Sequence, residues 1–520
     1  MRPTASRCTH RGAARRAAAS AARTPARTTP LFIDNEEVTS ESTEYVELLN
    51  PATQELLSHV PLATPAEMER AVRSAETAFE SWRNTPVPER MRVMLRLQAL
   101  VKENAEELAH NVVEEHGKTL VDARGSVQRG VEVVEHACSV GTLLMGETLG
   151  DVSRSIDTYS YKAPLGVCAG VAPFNFPAMI PMWMAPLAAV CGNTFVLKPS
   201  EKDPGAAVMV AKLAAEAGLP PGVFNVIHGT KDSVDFLCDH PAVKAMSFVG
   251  SNTIGEYIHD RASRNLKRVQ ANMAAKNHAV VLPDANKEKT LDALVGAAFG
   301  AAGQRCMALT TAVFVGDAQE WISELVPRAD RLVVSAGITE GADLGPLISA
   351  ESKQRVEALI ARGIDEGATC LRDGRNLKVP DYPNGNFVGP TLLDNVTADM
   401  TCYQEEIFGP VLLCVRADTY ADALKFVNAN RYGNGAAVFT KSGAAARMFQ
   451  REVKASQVGI NLPIPVPLPY FSFTGGADSF IGRGHFLGKQ GIDFFTQVKT
   501  VTSNWSETEM PTGLKGIGAD

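Results

Sequence analysis

The sequence predicts an α/β fold with parallel sheets, because short apolar strands alternate with helices along most of the chain. The first block of alternating elements runs from residue 161 to about 284, and strands are predicted in it at 166–173, 194–197, 224–228, 245–249 and 278–282. Helices are predicted in the gaps, as at 205–217 and 253–263. Parallel strands joined by helices form a doubly wound sheet that is covered on both faces.

A second block of the same kind runs from residue 287 to about 463, with strands predicted at 311–315, 411–415, 435–439 and 458–461. The chain before both blocks is helical from 65 to about 146. In its stretch 89–101 apolar residues recur every three or four positions, and Pro88 suits a first turn. Two segments, near 151–162 and 482–502, are predicted to form hairpins or strands that serve another subunit.

Composition is that of a soluble globular protein with two or three domains: 520 residues, 45% hydrophobic and 21% charged. The longest stretch without a polar residue, 176–192, is interrupted by three prolines, so it predicts a buried loop and helix and no membrane span. The net charge of −7 argues against nucleic-acid binding.

Residues 1–30 differ from the rest, since they hold seven Arg, no Lys and no acidic residue. This composition predicts a mitochondrial transit peptide, and a disordered basic tail is the alternative interpretation. The nine cysteines are scattered singly, without a C-x-x-C pair or metal-ligand spacing. The pattern favours a reducing compartment such as the mitochondrial matrix and predicts no metal site.

Cys306 is a candidate nucleophile in a Gly/Ala-rich, nearly uncharged run that follows a helix predicted over 287–302. The adjacent Arg305 carries a positive charge, which favours a thiolate. A lone cysteine is more often a buried core residue, so the interpretation of Cys306 as a nucleophile depends on the other motifs. One of them is Asn175, in a loop between Pro173 and Pro177, whose amide suits an oxyanion. A turn asparagine fits that loop equally well.

Three further motifs suit a dinucleotide, although each by itself also fits a charged or ordinary turn. Lys198 and Glu201 follow a predicted strand at the edge where ligands bind in open α/β sheets. Gly250 and Ser251 join a strand to a helix, where backbone N–H groups would face a phosphate. Glu406 is the second of two acids that precede the strand at 411–415, and a carboxylate there suits a second ribose.

In order and spacing, these motifs together resemble the aldehyde dehydrogenase superfamily over about residues 31–505. Within it, the chain is similar to the CoA-acylating enzymes that oxidise methylmalonate semialdehyde. Four runs carry this closer resemblance: 276–278, 299–309, 461–469 and 488–491. The implied fold is a Rossmann-type NAD-binding domain (31–146 and 166–276), an α/β catalytic domain (277–482) and a small oligomerisation element (147–165 and 483–505), followed by a tail at 506–520.

The resemblance also implies a role for each matching residue. Cys306 would be the nucleophile and Asn175 the oxyanion donor. Two arginines, Arg129 and Arg305, would receive the carboxylate of the substrate; a solvated side chain is the alternative for Arg129. The residues that would bind NAD are Phe174, Lys198, Glu201, Gly250, Ser251, Glu406 and Phe408. Glu201 favours NAD over NADP, since a carboxylate repels a 2′-phosphate.

Asn272 stands where hydrolytic aldehyde dehydrogenases carry a glutamate that activates water. Because an amide cannot take the proton, the thioacyl enzyme would wait for the thiol of CoA. Ala274 departs from the subfamily pattern, in which a glycine is expected, and its methyl group is expected to tighten the cofactor pocket.

The predicted function is therefore the NAD-dependent, CoA-acylating oxidation of methylmalonate or malonate semialdehyde. The products would be propionyl-CoA or acetyl-CoA, with loss of carbon dioxide. The resemblance implies a homodimer or homotetramer acting in valine and pyrimidine breakdown. The first alternative is a hydrolytic aldehyde dehydrogenase that releases a free acid; the second is a catalytically silent protein that binds NAD without reducing it.

Overall fold

The computed structural model describes residues 27–505, which form twenty-one strands and fifteen α-helices. The strands are β1 (Arg27–Thr28), β2 (Leu31–Ile33), β3 (Glu36–Val38), β4 (Tyr45–Leu49), β5 (Leu56–Pro61), β6 (Thr148–Ser153), β7 (Ile156–Pro164), β8 (Val167–Val171), β9 (Thr194–Lys198), β10 (Phe224–Val226), β11 (Val243–Val249), β12 (Arg268–Asn272), β13 (Asn277–Val281), β14 (Leu309–Val315), β15 (Thr369–Arg372), β16 (Thr391–Asp394), β17 (Val411–Ala417), β18 (Gly435–Phe439), β19 (Gln457–Ile460), β20 (Phe480–Gly482) and β21 (Thr496–Asn504).

The helices are α1 (Pro65–Trp82), α2 (Val87–Glu103), α3 (Ala105–His116), α4 (Leu120–Ala137), α5 (Met179–Val190), α6 (Gly205–Glu216), α7 (Lys231–Asp239), α8 (Asn252–Arg264), α9 (Lys287–Phe299), α10 (Leu325–Asp330), α11 (Ala350–Asp365), α12 (Thr401–Gln404), α13 (Tyr420–Ala429), α14 (Gly443–Glu452) and α15 (Gly488–Phe494). The amphipathic helix predicted at 89–101 is confirmed as α2. It buries Val93, Leu97 and Val101 on one side, as its apolar spacing requires.

The first large sheet has the strand order β20-β12-β11-β8-β9-β10-β2-β3. Its five central strands, from β12 to β10, are parallel. Strand β8 lies between β9 and β11, so the chain reverses its direction of winding there. Ligands bind at such a point, beyond the carboxyl ends of the strands. In β8, Val167, Ala169 and Val171 pack into one core and Cys168 into another, so both faces of the sheet are covered as predicted.

Strand β12 was not predicted, because three of its five residues are polar. Its Gln270 is nevertheless buried, and the side-chain amide donates a hydrogen bond to Ser247 Oγ of β11 at 2.9 Å. A polar side chain that is paired within the sheet can occupy a core position. The antiparallel neighbour of β12 is β20, from the last residues of the segment 277–482, so this sheet recruits chain from beyond the second block.

The second large sheet has the strand order β15-β16-β17-β14-β13-β18-β19 and is parallel from β16 to β19. The four strands predicted for the second block are present. The strand predicted at 278–282 as the last of the first block is instead β13, an inner strand of this sheet. The assignment of this strand to the first block was wrong. The chain passes from the first sheet to the second in only four residues, 273–276, and so short a connection does not interrupt the alternation of strands and helices in the sequence.

A third sheet, β21-β7-β6, is antiparallel, and its residues are mostly exposed or half-buried. Strand β7 pairs with β21 along its whole length, from Ile156 opposite Asn504 to Pro164 opposite Thr496. The two segments predicted as hairpins or strands therefore pair with each other. Several large apolar side chains of this sheet are exposed, namely Leu149, Val152, Tyr161 and Val498.

The apolar stretch 176–192 forms the buried helix α5, which contains Pro186. Within 27–505 no helix has both the length and the apolar character needed to cross a bilayer. Most of the predicted transit segment and the tail predicted at 506–520 lie outside the described residues. Arg27–Thr28, the first described part of that segment, pairs as β1 with β5.

Asn193 ties the loop before β8 to α5 and to the start of β21, since its buried side chain makes four hydrogen bonds. It accepts from the backbone of Leu165 and Gly166 and donates to the carbonyls of Ala188 and Phe495. We predict that Asn193→Leu lowers the melting temperature, because each backbone group left unpaired costs about 1–3 kcal/mol. Asn84→Leu, at an exposed asparagine with one local bond, is the control for thermal unfolding. Equal melting temperatures for the two variants would contradict this assignment.

Candidate active site

A cavity of about 420 Å³ lies where loops from the carboxyl ends of strands in the first large sheet meet loops from the amino ends of strands in the second. Loops after β8 and β11 form one wall, and the loops before β14 and β17 form the other. We call it the glutamate cavity. Seven of the residues predicted from sequence line it: Phe174, Asn175, Gly250, Ser251, Cys306, Glu406 and Phe408.

A second cavity of about 350 Å³ lies on the other side of Cys306, and we call it the arginine cavity. Both predicted arginines, Arg129 from α4 and Arg305, line it. Among the described residues Cys306 is the one that lines both cavities. Its thiol can therefore be approached from two sides by two different molecules.

The loop that carries Cys306 has an unusual backbone. Helix α9 ends at Phe299, three residues earlier than predicted, because the next turn is left-handed at Ala301 (φ 50°), Ala302 (φ 52°) and Gly303 (φ 70°). For an alanine this conformation costs about 1–2 kcal/mol. At Gly303 a Cβ would lie 2.1 Å from the carbonyl oxygen of Gly409, so only glycine allows the two loops to approach this closely.

Two buried side-chain amides hold the backbone of Cys306. The Nδ2 atoms of Asn277 and Asn434 donate hydrogen bonds to its carbonyl oxygen, at 2.9 and 3.1 Å. Asn277 lies at the start of β13 and Asn434 just before β18, so the nucleophile is fixed to two neighbouring strands. In the sequence, Asn277 is part of a run that indicates the family but not this contact. Asn434 belongs to no local motif and was not identified.

Burial raises the pKa of the Cys306 thiol to about 12, and the nearby carboxylate of Glu406 acts in the same direction. The charge of Arg305 lowers the pKa, as predicted, but does not outweigh burial. Burial likewise raises the pKa of Cys191 and Cys238 to about 12. Its pKa therefore does not distinguish Cys306 from structural cysteines; its position between the two cavities does.

The loop after β8 presents Asn175, whose side chain is almost fully buried at the wall of the glutamate cavity. The backbone carbonyl oxygen of Asn175 accepts a hydrogen bond from the buried ammonium of Lys118 at 2.6 Å. The neighbouring Phe174 ring is stacked on His116 and meets Phe408 edge to face, with centroids 5.9 and 5.8 Å away. Lys118 and His116 were not found from sequence, because they lie more than fifty residues away, at the end of α3 and in the loop that follows it.

Lys198 and Glu201 form an ion pair at the carboxyl end of β9, with Nζ and Oε2 3.0 Å apart. Burial raises the pKa of Glu201, but the charge and hydrogen bond of Lys198 outweigh it, so the net shift is downward and the carboxylate stays ionised. The pair lines neither cavity. It is next to the Asn175 loop, since Ala172 N donates to the Lys198 carbonyl oxygen at 3.0 Å.

Of the two acids at 405 and 406, only Glu406 lines the glutamate cavity, and Glu405 is exposed. The backbone N–H of Ala275 donates to Glu406 Oε1 at 2.9 Å, and burial raises the pKa of this carboxyl. Arg355 fixes the same loop by donating to the carbonyls of Glu406 and Ile407, at 2.6 and 2.8 Å.

Gly250 and Ser251 connect β11 to α8, with Ser251 exposed at the N-cap position. Within the described structure its side chain makes no capping hydrogen bond, so the first N–H groups of α8 are available to an anion. A Cβ at Gly250 would lie 2.5 Å from the ring of Phe248. Glycine is therefore required for this close turn.

Asn272 is the last residue of β12 and directly precedes Met273 and Ala274, which line the glutamate cavity. Its side chain is buried, and Oδ1 has no hydrogen-bond partner among the described residues. Asn272 itself lines neither cavity, so its place beside the site rests on these two chain neighbours. It can donate or accept a hydrogen bond but cannot serve as a base for water.

The two arginines differ in their surroundings. Arg129 is exposed at the rim of the arginine cavity and pairs with Glu132 at 2.8 Å on the same helix. Arg305 is half-buried, and its Nε donates to the carbonyl of Gly300 at 2.9 Å. Burial lowers the pKa of Arg305. Within residues 27–505 no cluster of three His, Cys, Asp or Glu side chains offers a metal site.

Comparison with known proteins agrees with this geometry. The model of the aldehyde dehydrogenase family matches residues 38–501. A Mus musculus protein named methylmalonate-semialdehyde/malonate-semialdehyde dehydrogenase [acylating], mitochondrial, is 58% identical over 482 residues, which are 93% of this chain and 90% of that one. An Arabidopsis thaliana protein named methylmalonate-semialdehyde dehydrogenase [acylating], mitochondrial, is 57% identical over 93% of this chain and 80% of its own.

Solved structures give the same result. Methylmalonate-semialdehyde dehydrogenase from Oceanimonas doudoroffii is 46% identical, with a TM-score of 0.91 over 93% of this chain and 99% of that one. A structure from Sinorhizobium meliloti that carries the same enzyme name was solved in complex with NAD. It is 43% identical, with a TM-score of 0.92 over 93% of this chain and 99% of that one. With this agreement in sequence and fold along nearly its whole length, the chain belongs to the aldehyde dehydrogenase family.

Proposed function

We propose that this chain is an NAD-dependent, CoA-acylating dehydrogenase of methylmalonate and malonate semialdehyde. The observation that carries the proposal is the position of Cys306, the residue shared by a cavity with two arginines and a cavity with Glu406 and two phenylalanines. An aldehyde with a nearby carboxylate fits the first cavity and a nicotinamide the second. The names of the relatives support the same substrate and the acylating outcome.

The residues of the glutamate cavity, together with the Lys198–Glu201 pair next to the Asn175 loop, fit NAD. The ionised Glu201, paired with Lys198, would bind the hydroxyls of one ribose and repel a 2′-phosphate. The free N-terminus of α8 beside Gly250 and Ser251 would face the pyrophosphate. Glu406, Phe174 and Phe408 would hold the nicotinamide end, and bound NAD supplies the hydride acceptor. The methyl group of Ala274, on the wall of this cavity, would narrow it relative to a glycine.

In the first chemical step the thiolate of Cys306 adds to the aldehyde carbon, and the carbonyl oxygen becomes an oxyanion. The amide of Asn175, on the wall of the same cavity, would donate a hydrogen bond to it. Loss of hydride from this adduct leaves a thioester on Cys306. In the meantime Arg129 and Arg305 would hold the substrate carboxylate on the other side of the sulfur.

The carboxylate then leaves as carbon dioxide or bicarbonate. The bond between the carboxylate carbon and the α-carbon breaks, its electron pair passes into the thioester as an enolate, and the α-carbon takes a proton. The resulting acyl group stays on Cys306 until a second nucleophile arrives. Asn272 supplies no base for water, so the thiol of CoA would accept the acyl group and release propionyl-CoA or acetyl-CoA.

Other parts of the proposal rest on the fold and on the relatives. We assign the first large sheet with its helices to NAD binding and the second to catalysis. The third sheet, with its exposed apolar side chains, is assigned to the assembly of a homodimer or homotetramer. The mitochondrial names of the relatives and the Arg-rich first residues support a matrix location. Valine and pyrimidine breakdown are the expected settings.

We predict that NADH formation from methylmalonate semialdehyde requires CoA beyond the first turnover. Without CoA, NADH absorbance should stop after about one equivalent per active site, because the acyl group is retained on the enzyme. With CoA, turnover should continue and yield propionyl-CoA, identified by mass spectrometry. Cys306→Ala should give no NADH. Sustained turnover to a free acid without CoA would favour the hydrolytic alternative, and NAD binding without NADH from any aldehyde would favour a silent protein.

We predict that Arg129→Gln lowers kcat/KM for methylmalonate semialdehyde by about 10- to 100-fold, since a hydrogen bond to a charged group contributes about 1.5–3 kcal/mol. The effect should be absent with propanal, which has no carboxylate. Arg124→Gln, on the same helix but paired with Glu106 outside the cavity, is the matched control in the same kinetic assay. An equal loss with both aldehydes would show that Arg129 does not recognise the carboxylate.

Because burial raises the pKa of Cys306, its alkylation by iodoacetamide should accelerate with every pH increase up to pH 9. An ordinary thiol, with a pKa of about 8.5, would approach a plateau there. Arg305→Gln should slow the reaction at each pH, because the positive charge that favours the thiolate is removed. Cys306→Ala gives the background from other cysteines. An alkylation rate that reaches a plateau below pH 8, in protein without added NAD or substrate, would contradict the buried environment assigned to the thiol.

A further inference from the structure

One short segment at the start of α4 contacts both loops that carry the reacting groups. Lys118 donates from Nζ to the carbonyl oxygen of Asn175 at 2.6 Å. Four residues later, Asp122 Oδ2 accepts a hydrogen bond from the backbone N–H of Ala301 at 2.9 Å. The first contact holds the loop of the oxyanion donor, and the second holds the left-handed turn before Cys306.

Lys118 is a buried cation with a defined place. It is 2% exposed, and its Nζ lies 4.5 Å from the centroid of the Phe176 ring. Burial lowers the pKa of Lys118 to about 8, while the carboxylates of Asp122 and Asp203 oppose this. The side chain thus remains mainly protonated at pH 7, and its bond to the Asn175 carbonyl is charge-assisted and stronger than a neutral one.

Asp122 is fixed in turn by the cap of its own helix. Its backbone N–H donates to Thr119 Oγ1 at 3.2 Å, and the hydroxyl of Thr119 donates back to Asp122 Oδ2 at 3.2 Å. The carboxylate therefore has a rigid support when it accepts from Ala301. That bond stabilises a residue at φ 50°, a conformation that an alanine adopts only where its surroundings enforce it.

The segment itself has little freedom to move. Glycines on a neighbouring loop approach it so closely that a Cβ at Gly337 would lie 2.0 Å from the Lys118 carbonyl oxygen, and one at Gly345 2.0 Å from that of Gly117. The backbone of Leu120 donates to the Gly337 carbonyl at 3.0 Å. A rigid segment with one contact to each loop can set the distance between the loops.

We propose that Lys118 and Asp122 are positioning residues that align the amide of Asn175 with the thiol of Cys306. Both side chains line the arginine cavity, and neither needs to touch the reacting atoms. The inference rests on the proposed function, because it assumes that these two groups act together on the aldehyde. It adds a reason for the placement of the two loops, which come from different sheets.

The expected effect falls on the acylation step. Displacing a reacting group by about 1 Å can cost about 100-fold in rate. Lys118→Met keeps the apolar stem but removes the bond to Asn175, and Asp122→Ala removes the bond to Ala301. Each should slow the first-turnover burst of NADH about 10- to 100-fold, while the Kd for NAD stays close to that of the unmodified protein.

Matched controls are present in the chain. Asp422 has the same Thr-x-x-Asp cap at the start of α13, with Thr419 as its partner, but it is exposed and bonds to no active-site loop. Asp422→Ala should leave the burst unchanged. Lys102→Met, at a half-exposed lysine paired with Glu135, should do the same. Asp122→Asn keeps an oxygen that accepts from Ala301 and should restore most of the burst rate.

The test is stopped-flow NADH formation at saturating NAD and methylmalonate semialdehyde, with melting temperatures recorded for every variant. Added ethylammonium should partly restore the burst of Lys118→Ala and leave Lys118→Met unchanged, since only the first variant has room for it. Bursts of Lys118→Met and Asp122→Ala within threefold of the unmodified protein would overturn this inference alone. Absence of a burst from the unmodified protein would instead overturn the proposed function.

Discussion

The carbonyl oxygen of Cys306 accepts hydrogen bonds from two buried amides, those of Asn277 and Asn434, and the whole site depends on this anchor. It ties the nucleophile to β13 and to the loop before β18, in the middle of the second sheet. The thiol is thereby fixed at the point where two cavities meet. A thiol a few ångströms to either side would line only one of them, and a reaction with two successive partners would have no common centre.

The second constraint is the left-handed turn at residues 301–303, which brings the Cys306 loop against the Glu406 loop. Its backbone strain is offset by the close packing of Gly303 on Gly409 and by the bond from Ala301 to Asp122. Residues from the first sheet reach the same place because loops at the carboxyl ends of β8 and β11 open towards it. The site thus lies where the carboxyl ends of strands in the first sheet face the amino ends of strands in the second. The first sheet supplies Asn175 and the N-terminus of α8, and the second supplies Cys306 and Glu406.

The sequence allowed prediction of the strands whose residues are uniformly apolar and of site residues that directly follow them, such as Asn175 and Gly250. It did not reveal β12, because a buried glutamine paired within the sheet looks like a surface residue in a sequence. Lys118 and Asn434 were also missed, since their contacts join segments far apart in the chain. The net pKa of Cys306 could not be predicted for the same reason: one adjacent arginine is visible in the sequence, whereas burial depends on the assembled fold.

The central claim is that Cys306 carries an acyl group that waits for CoA. Mass spectrometry of the peptide containing Cys306 tests it directly, after the protein has reacted with NAD and methylmalonate semialdehyde without CoA and has been quenched in acid. We expect a propionyl thioester on Cys306 that disappears when CoA is added before the quench. An unmodified Cys306 peptide, found together with accumulating free acid and continuing NADH formation, would contradict it.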